Sequence, residues 1–323
     1  MAVQIAVIDD WQDVAREVVG WSVLDSIGQV TFVHDFPADR DTLAERLQRF
    51  EVICVMRERT VFDEGLLRRL PNLKLLLTGG MRNAALDLKT AAELGIQVCG
   101  TDSYKHAAPE LTWALIMALT RNLVQEANAL RAGLWQQGLG GDLHGKTLAI
   151  LGLGSIGTRV AQFGQVFGMR VIAWSQNLTA EKAAEAGVTY VSKQALFEQA
   201  DILSVHLVLS ERTRGLVDAQ ALGWMKPGAL LVNTARGPIV DESALVEALQ
   251  HRRLAGAALD VFTQEPLPSD HPFRTLDNVL ATPHVGYVSR QNYQQFYSLM
   301  IEDLLAWAGG KPIRLLTAAP GVL

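Results

Sequence analysis

The chain has 323 residues, 49% of them hydrophobic and 20% charged, which suits two domains that each bury a core without disulfides or metals. A formal net charge of -5 with scattered Lys and Arg leaves no basic patch for a polyanion, so nucleic acid is not expected as a partner. The longest apolar helical stretch, LTWALIMAL, is too short to span a bilayer, and MAVQIAVIDD at the start reads as a strand without a basic leader, so no membrane is expected either.

Short apolar runs alternate with segments of helical period, the pattern of parallel sheets covered by helices on both faces. In the first third, VQIAVID (3–9), VTFV (30–33), VICVM (52–56), LKLLLT (73–78) and IQVCG (96–100) read as strands of a small doubly wound unit. Cys54 and Cys99 lie inside two of these runs as small buried hydrophobes, which fits a reducing cytoplasm. One long helix is expected over 109–135, with Pro109 in its first turn.

Strand signals then resume with TLAILG (147–152), RVIAW (170–174), VTYV (188–191), ILSVHLVL (202–209), ALLVNTA (229–235), GAALDV (256–261) and VLATPH (279–284). Beyond Gly286 the pattern is helical again, and the last residues are expected to fold back onto the first domain. The expected division is 1–103 with 290–323 as a substrate domain, and 104–289 as a dinucleotide-binding domain, with a cleft between the two sheets.

ILGLGSIG (150–157) carries that second assignment. Gly152, Gly154 and Gly157 follow a strand and open a helix, the context in which three such glycines bind a pyrophosphate: a tight turn, a close backbone approach, and close helix–strand packing. Ser155 and Ile156 would offer free amides at the positive end of that helix. An acidic residue that grips the ribose 2′-hydroxyl of NAD is expected at the end of RVIAW, where Ser175 stands instead. Ser175-Gln176-Asn177 has neither the Asp that would repel a 2′-phosphate nor an Arg that would attract one. Discrimination between NAD and NADP is expected to be weak, with a slight lean to NAD.

Three later strands each end on a group suited to chemistry: Arg236 in VNTARGPIVDESALVEAL, Glu265 in GAALDVFTQEP and His284 in ATPHVGY. Ligands of open parallel sheets bind outside the carboxyl ends of strands, so these residues are expected in one crevice. An Arg, a carboxylate and a His suit hydride transfer to an acid with an alpha carbonyl. With GLGSIG, ADILSVHL, NTARGPIVDESALVEAL, ALDVFTQEPL and TPHVGY in order, the chain resembles the D-isomer-specific 2-hydroxyacid dehydrogenases across nearly its whole length.

The resemblance implies two doubly wound domains, the larger a Rossmann fold and the smaller flavodoxin-like. It also implies an NAD(P)-dependent oxidoreductase that interconverts a 2-oxo acid and its D-2-hydroxy acid, with no metal. It makes Arg236 the carboxylate-binding residue, His284 the proton donor and Glu265 the partner that orients His284. It places cofactor contacts at His206, Thr234, Ala235, Asp260 and Gly286 besides the glycine loop, although His206 reads equally well as structural. Val208 stands where the family usually has Pro, a departure with local effect only.

TGGMRNAALD (78–87) is similar to the family loop whose amides hold the substrate carboxylate, which makes Met81 and Arg82 candidates, and Arg82 replaces a glycine of that loop. VMRERT (55–60) is similar to the corresponding stretch of phosphoglycerate dehydrogenases, which adds Arg57 and points to 3-phosphoglycerate or another dianionic acid. No regulatory domain of the kind that many of those enzymes append is read here. A phosphite dehydrogenase and an NAD(H)-sensing corepressor-like module share the same motifs and remain as alternatives. The resemblance also implies a homodimer formed through the cofactor domain, with the helix carrying Trp113 and Trp135 as its contact.

Overall fold

The computed structural model describes residues 2–34 and 39–317, so the end of the expected C-terminal tail, 318–323, lies outside the described residues. The chain divides into two units, one running to Tyr104 and resuming at Val288, the other spanning Lys105–Tyr287.

In the first unit β1 (Val3–Val7), β2 (Gly28–Phe32), β3 (Val52–Val55), β4 (Leu75–Thr78) and β5 (Gln97–Gly100) pair in parallel in the order β2-β1-β3-β4-β5. That is the flavodoxin-like order, with its switch point between β1 and β3. Every residue of β3 and β4 is buried, as expected for strands covered on both faces and written as unbroken apolar runs. Helix Arg290–Ala308 packs on β4 and β5 of this unit. Beyond it, Leu315 bridges antiparallel to Cys99 and the Leu316 N–H donates to the Val98 carbonyl at 2.8 Å. The edge of β5 is thereby covered instead of being left as a template for another chain.

The second unit contains β6 (Thr147–Leu151), β7 (Arg170–Trp174), β8 (Thr189–Tyr190), β9 (Ile202–Val205), β10 (Leu230–Asn233), β11 (Gly256–Leu259) and β12 (Val279–Ala281). All pair in parallel in the order β12-β11-β10-β9-β6-β7-β8, a Rossmann sheet whose switch point lies between β6 and β9. Several helices start on an aspartate. Asp63, Asp87, Asp218 and Asp241 each accept an N–H from their helix's first turn, and such a cap contributes about 1 kcal/mol.

The single helix expected over 109–135 is in fact two, Ala107–Thr120 and Leu123–Arg131. Asn122 between them sits at φ 51°, a left-handed conformation that asparagine tolerates and that ends the first helix. The break has a packing consequence. The first helix buries Leu115, Ile116 and Leu119, whereas the second buries no residue at all. Among the described residues no helix is long and apolar enough to cross a membrane.

Candidate active site

The glycine loop is built by close approach. Gly152 has φ 105°, and a Cβ there would lie 2.9 Å from the His206 carbonyl carbon on the neighbouring strand end; a Cβ on Gly157 would lie 2.1 Å from the Gly152 oxygen. Neither position tolerates a side chain. At Gly154, in contrast, a Cβ would meet no protein atom within 4 Å, so the loop is open on the side where a pyrophosphate would approach. Helix Ser155–Val166 starts directly behind it, so the first-turn amides of Ser155 and Ile156 have no partner within the helix. These residues fit a dinucleotide phosphate.

His206 follows β9, with its N–H donating to Leu151 at 2.8 Å and its Nε2 lying 2.8 Å from Ser204 Oγ. Burial drives its pKa down to about 3, so the ring is neutral at working pH. Thr234 follows β10 and shares a 2.7 Å hydrogen bond with Thr112. Next to it Asn233 shapes the turn, accepting from the Ala235 N–H at 3.0 Å and donating to the Arg236 carbonyl at 3.0 Å. Arg236 is thus presented by a turn closed on both sides, with its Nη1 donating to the Ala235 carbonyl at 2.7 Å.

Asp260, directly after β11, is 1% exposed. Its Oδ1 accepts from Thr282 Oγ1 at 2.6 Å and the Val285 N–H at 2.8 Å, and its Oδ2 accepts from the Gly286 N–H at 2.8 Å. Burial raises its pKa against the lowering effect of those donors. Asp260 therefore clamps the loop that carries His284, a role its place in the motif does not reveal. Within that loop His284 has φ 52° and its N–H donates to Thr282 at 2.9 Å, a tight and sparsely populated turn. His284 Nδ1 lies 2.5 Å from Glu265 Oε2, and Glu265 Oε1 in turn accepts from the Phe262 N–H at 2.9 Å. No hydrogen bond to Nε2 of His284 is present among the described residues.

Arg236, Asp260 and His284 thus follow the carboxyl ends of the adjacent strands β10, β11 and β12, and Glu265 joins His284 directly.

In the first unit, Arg57 follows β3 at φ 60° and its Nη1 donates to the Gly79 carbonyl at 3.1 Å. Its guanidinium lies so close over Gly80 that a Cβ there would be 1.8 Å from Nη1. The Gly80 N–H is already used, donating to Thr101 Oγ1 at 3.0 Å. The amides of Met81 and Arg82 have no such partner among the described residues, and both side chains are exposed. The structure thus brings Arg57, Met81 and Arg82 to one edge, at the ends of β3 and β4. Sequence inspection missed Arg59, whose guanidinium stacks 4.3 Å over Trp11 and donates to Tyr293 Oη at 2.9 Å. The only sequence signal for it is a second arginine in RER.

Residues 113–286 match the family model described as D-isomer specific 2-hydroxyacid dehydrogenase, NAD binding domain. The chain is also 38% identical over 285 residues to a glyoxylate reductase of Aeropyrum pernix, covering 85% of each. The chain belongs to the D-isomer specific 2-hydroxyacid dehydrogenase family. It is 33% identical to a D-3-phosphoglycerate dehydrogenase of Methanocaldococcus jannaschii, with 87% of this chain aligned to 54% of that one. Among solved structures, a phosphoglycerate oxidoreductase of Vibrio cholerae O395 superimposes with a TM-score of 0.91 at 40% identity, covering 95% of this chain and 99% of that one. The protein is an oxidoreductase of this family that uses a nicotinamide dinucleotide.

Proposed function

We propose that this dehydrogenase reduces a 2-oxo acid bearing a second anionic group to the D-2-hydroxy acid, with Arg236, Glu265 and His284 as its catalytic residues. The observation that carries the reading is the 2.5 Å contact between His284 Nδ1 and Glu265 Oε2. It holds the ring by one nitrogen and leaves Nε2 for the substrate.

The dinucleotide supplies the hydride. Arg236 binds the substrate carboxylate and draws electron density toward the 2-oxo oxygen, because its planar fork carries a permanent charge. His284 Nε2 donates its proton to that oxygen, leaving a neutral imidazole; in oxidation the proton returns the same way. Glu265 accepts from Nδ1–H throughout, which fixes the tautomer and the orientation of the ring.

In the first unit, the unpartnered Met81 and Arg82 amides and the Arg82 guanidinium support binding of an anionic group, whereas Arg57 is already paired with Glu58, Nε to Oε2 at 3.4 Å. A screen of NADH and NADPH oxidation against glyoxylate, pyruvate, phenylpyruvate, hydroxypyruvate and 3-phosphohydroxypyruvate tests both parts. We expect the dianionic substrate to have the highest kcat/KM, and Arg82→Ala to lower that value about tenfold more than the value for glyoxylate, roughly 1.4 kcal/mol. Absence of turnover with every oxo acid would end the catalytic reading.

The exposed apolar residues Leu130, Leu134, Trp135 and Leu139 lie on or just after the helix that buries nothing, which supports a homodimer formed through residues 123–139. Trp113 has no place in that surface, since it packs against Phe163 and Phe167 with ring centroids 5.8 and 4.9 Å away.

A further inference from the structure

Residues 175–177 bring no charge to the place where a dinucleotide fold holds the adenosine ribose. In the folded chain they have a neighbour that does. Gln176 Nε2 donates to the Arg212 carbonyl oxygen at 3.2 Å, a contact across 36 positions of sequence. The sheet order explains the meeting: β7 and β9 flank β6 on either side, so the turns leaving them face each other across the glycine loop.

The turn that carries Arg212 is tightly held. Thr213, 7% exposed, accepts the Ser210 N–H at 2.8 Å and donates its hydroxyl to the Val208 carbonyl at 2.7 Å, and the Arg214 N–H donates to Ser210 at 2.9 Å. Arg212 at its tip is exposed and forms no ion pair among the described residues. Glu211 is the sole carboxylate within residues 208–214, which also contain Arg212 and Arg214, so the turn is net positive. No charged residue occurs within 175–179 to oppose it.

Resting on the dinucleotide-site reading above, we propose that Arg212 is the cation that receives a 2′-phosphate, and that the enzyme binds NADPH in preference to NADH. Ser175 removes the repulsion that an acidic residue would impose, Gln176 ties the two turns together, and Arg212 offers a fork that matches phosphate oxygens. Selectivity then arises from the turn after β9 and not from the turn after β7.

The test is calorimetric binding of NADPH, NADH, 2′,5′-ADP and AMP to the full chain at low salt, a measurement that needs no turnover. The wild type should bind NADPH about tenfold or more tighter than NADH, and 2′,5′-ADP tighter than AMP by a similar factor, equivalent to about 1.4 kcal/mol. In Arg212→Gln both preferences should collapse to within about threefold while the NADH affinity is kept. A second variant, Ser175→Asp, should turn the preference toward NADH. Equal wild-type affinities, or a preference that survives Arg212→Gln, would overturn the inference and leave the dinucleotide site standing. Failure of every nucleotide to bind would overturn both.

Discussion

At the scale of single residues, the geometry of the candidate site depends on carboxylates that are already occupied. Asp260 spends both oxygens on the 282–286 loop, and Glu265 divides its own between the Phe262 amide and His284. That bonding keeps His284 in a conformation with φ 52° that would otherwise cost of order 1–3 kcal/mol. If His284 is the proton donor, His284→Ala should lower kcat for oxo-acid reduction by about two orders of magnitude or more. NADH affinity, read by fluorescence titration, should stay near the wild-type value. Near-normal turnover would remove His284 from the chemistry. His206 is unsuited to the same task, because burial keeps its ring neutral down to a pH of about 3.

Between elements, the C-terminal segment of the first unit is fastened to its last helix through the contact of Asp303 with Arg314. Asp303 on helix Arg290–Ala308 is wholly buried; its Oδ1 accepts from Arg314 Nε at 2.9 Å and its Oδ2 has no hydrogen-bond partner. Arg314 also donates to the Leu299 carbonyl at 3.0 Å, which fastens the segment pairing with β5 to the helix. Burial is the larger influence on Asp303 and pushes its pKa from 3.8 up to about 6 despite Arg314. The folded state therefore keeps this proton to a higher pH than the unfolded chain does. The contribution of Asp303 is most favourable below about 4 and is lost as pH rises through about 6. Thermal melts of the wild type and Asp303→Asn should show the wild type losing ground to the variant across that window. Parallel curves would contradict the assignment.

For the molecule as a whole, the helix Leu123–Arg131 and the residues after it carry an apolar surface that the other described residues leave uncovered. Trp135 is 74% exposed and Leu139 97% exposed. If a second copy covers this surface, the wild type should sediment as a dimer at micromolar concentration. Leu130→Asp combined with Trp135→Glu should shift it to monomer with little change in the melting of the protomer. A monomeric wild type would refute the assembly.

Much of this protein is legible in its sequence. Both sheets, their parallel pairing and nearly all of their strands follow from the spacing of apolar runs, because a strand buried on both faces must be written as one. The glycine loop is in part local, since Gly157 is required by the Gly152 oxygen five positions before it and Gly152 by its own φ of 105°. The break at Asn122 was not legible, because a left-handed residue inside a helical pattern leaves the periodicity nearly intact. Nor was the clamp of Asp260 on the His284 loop, nor the contact between Gln176 and Arg212. Each joins residues that are distant along the chain and adjacent only because the sheet order places their strand ends side by side. Sequence by itself determined the fold class and the residue types available for chemistry; tertiary structure alone decided which of them meet.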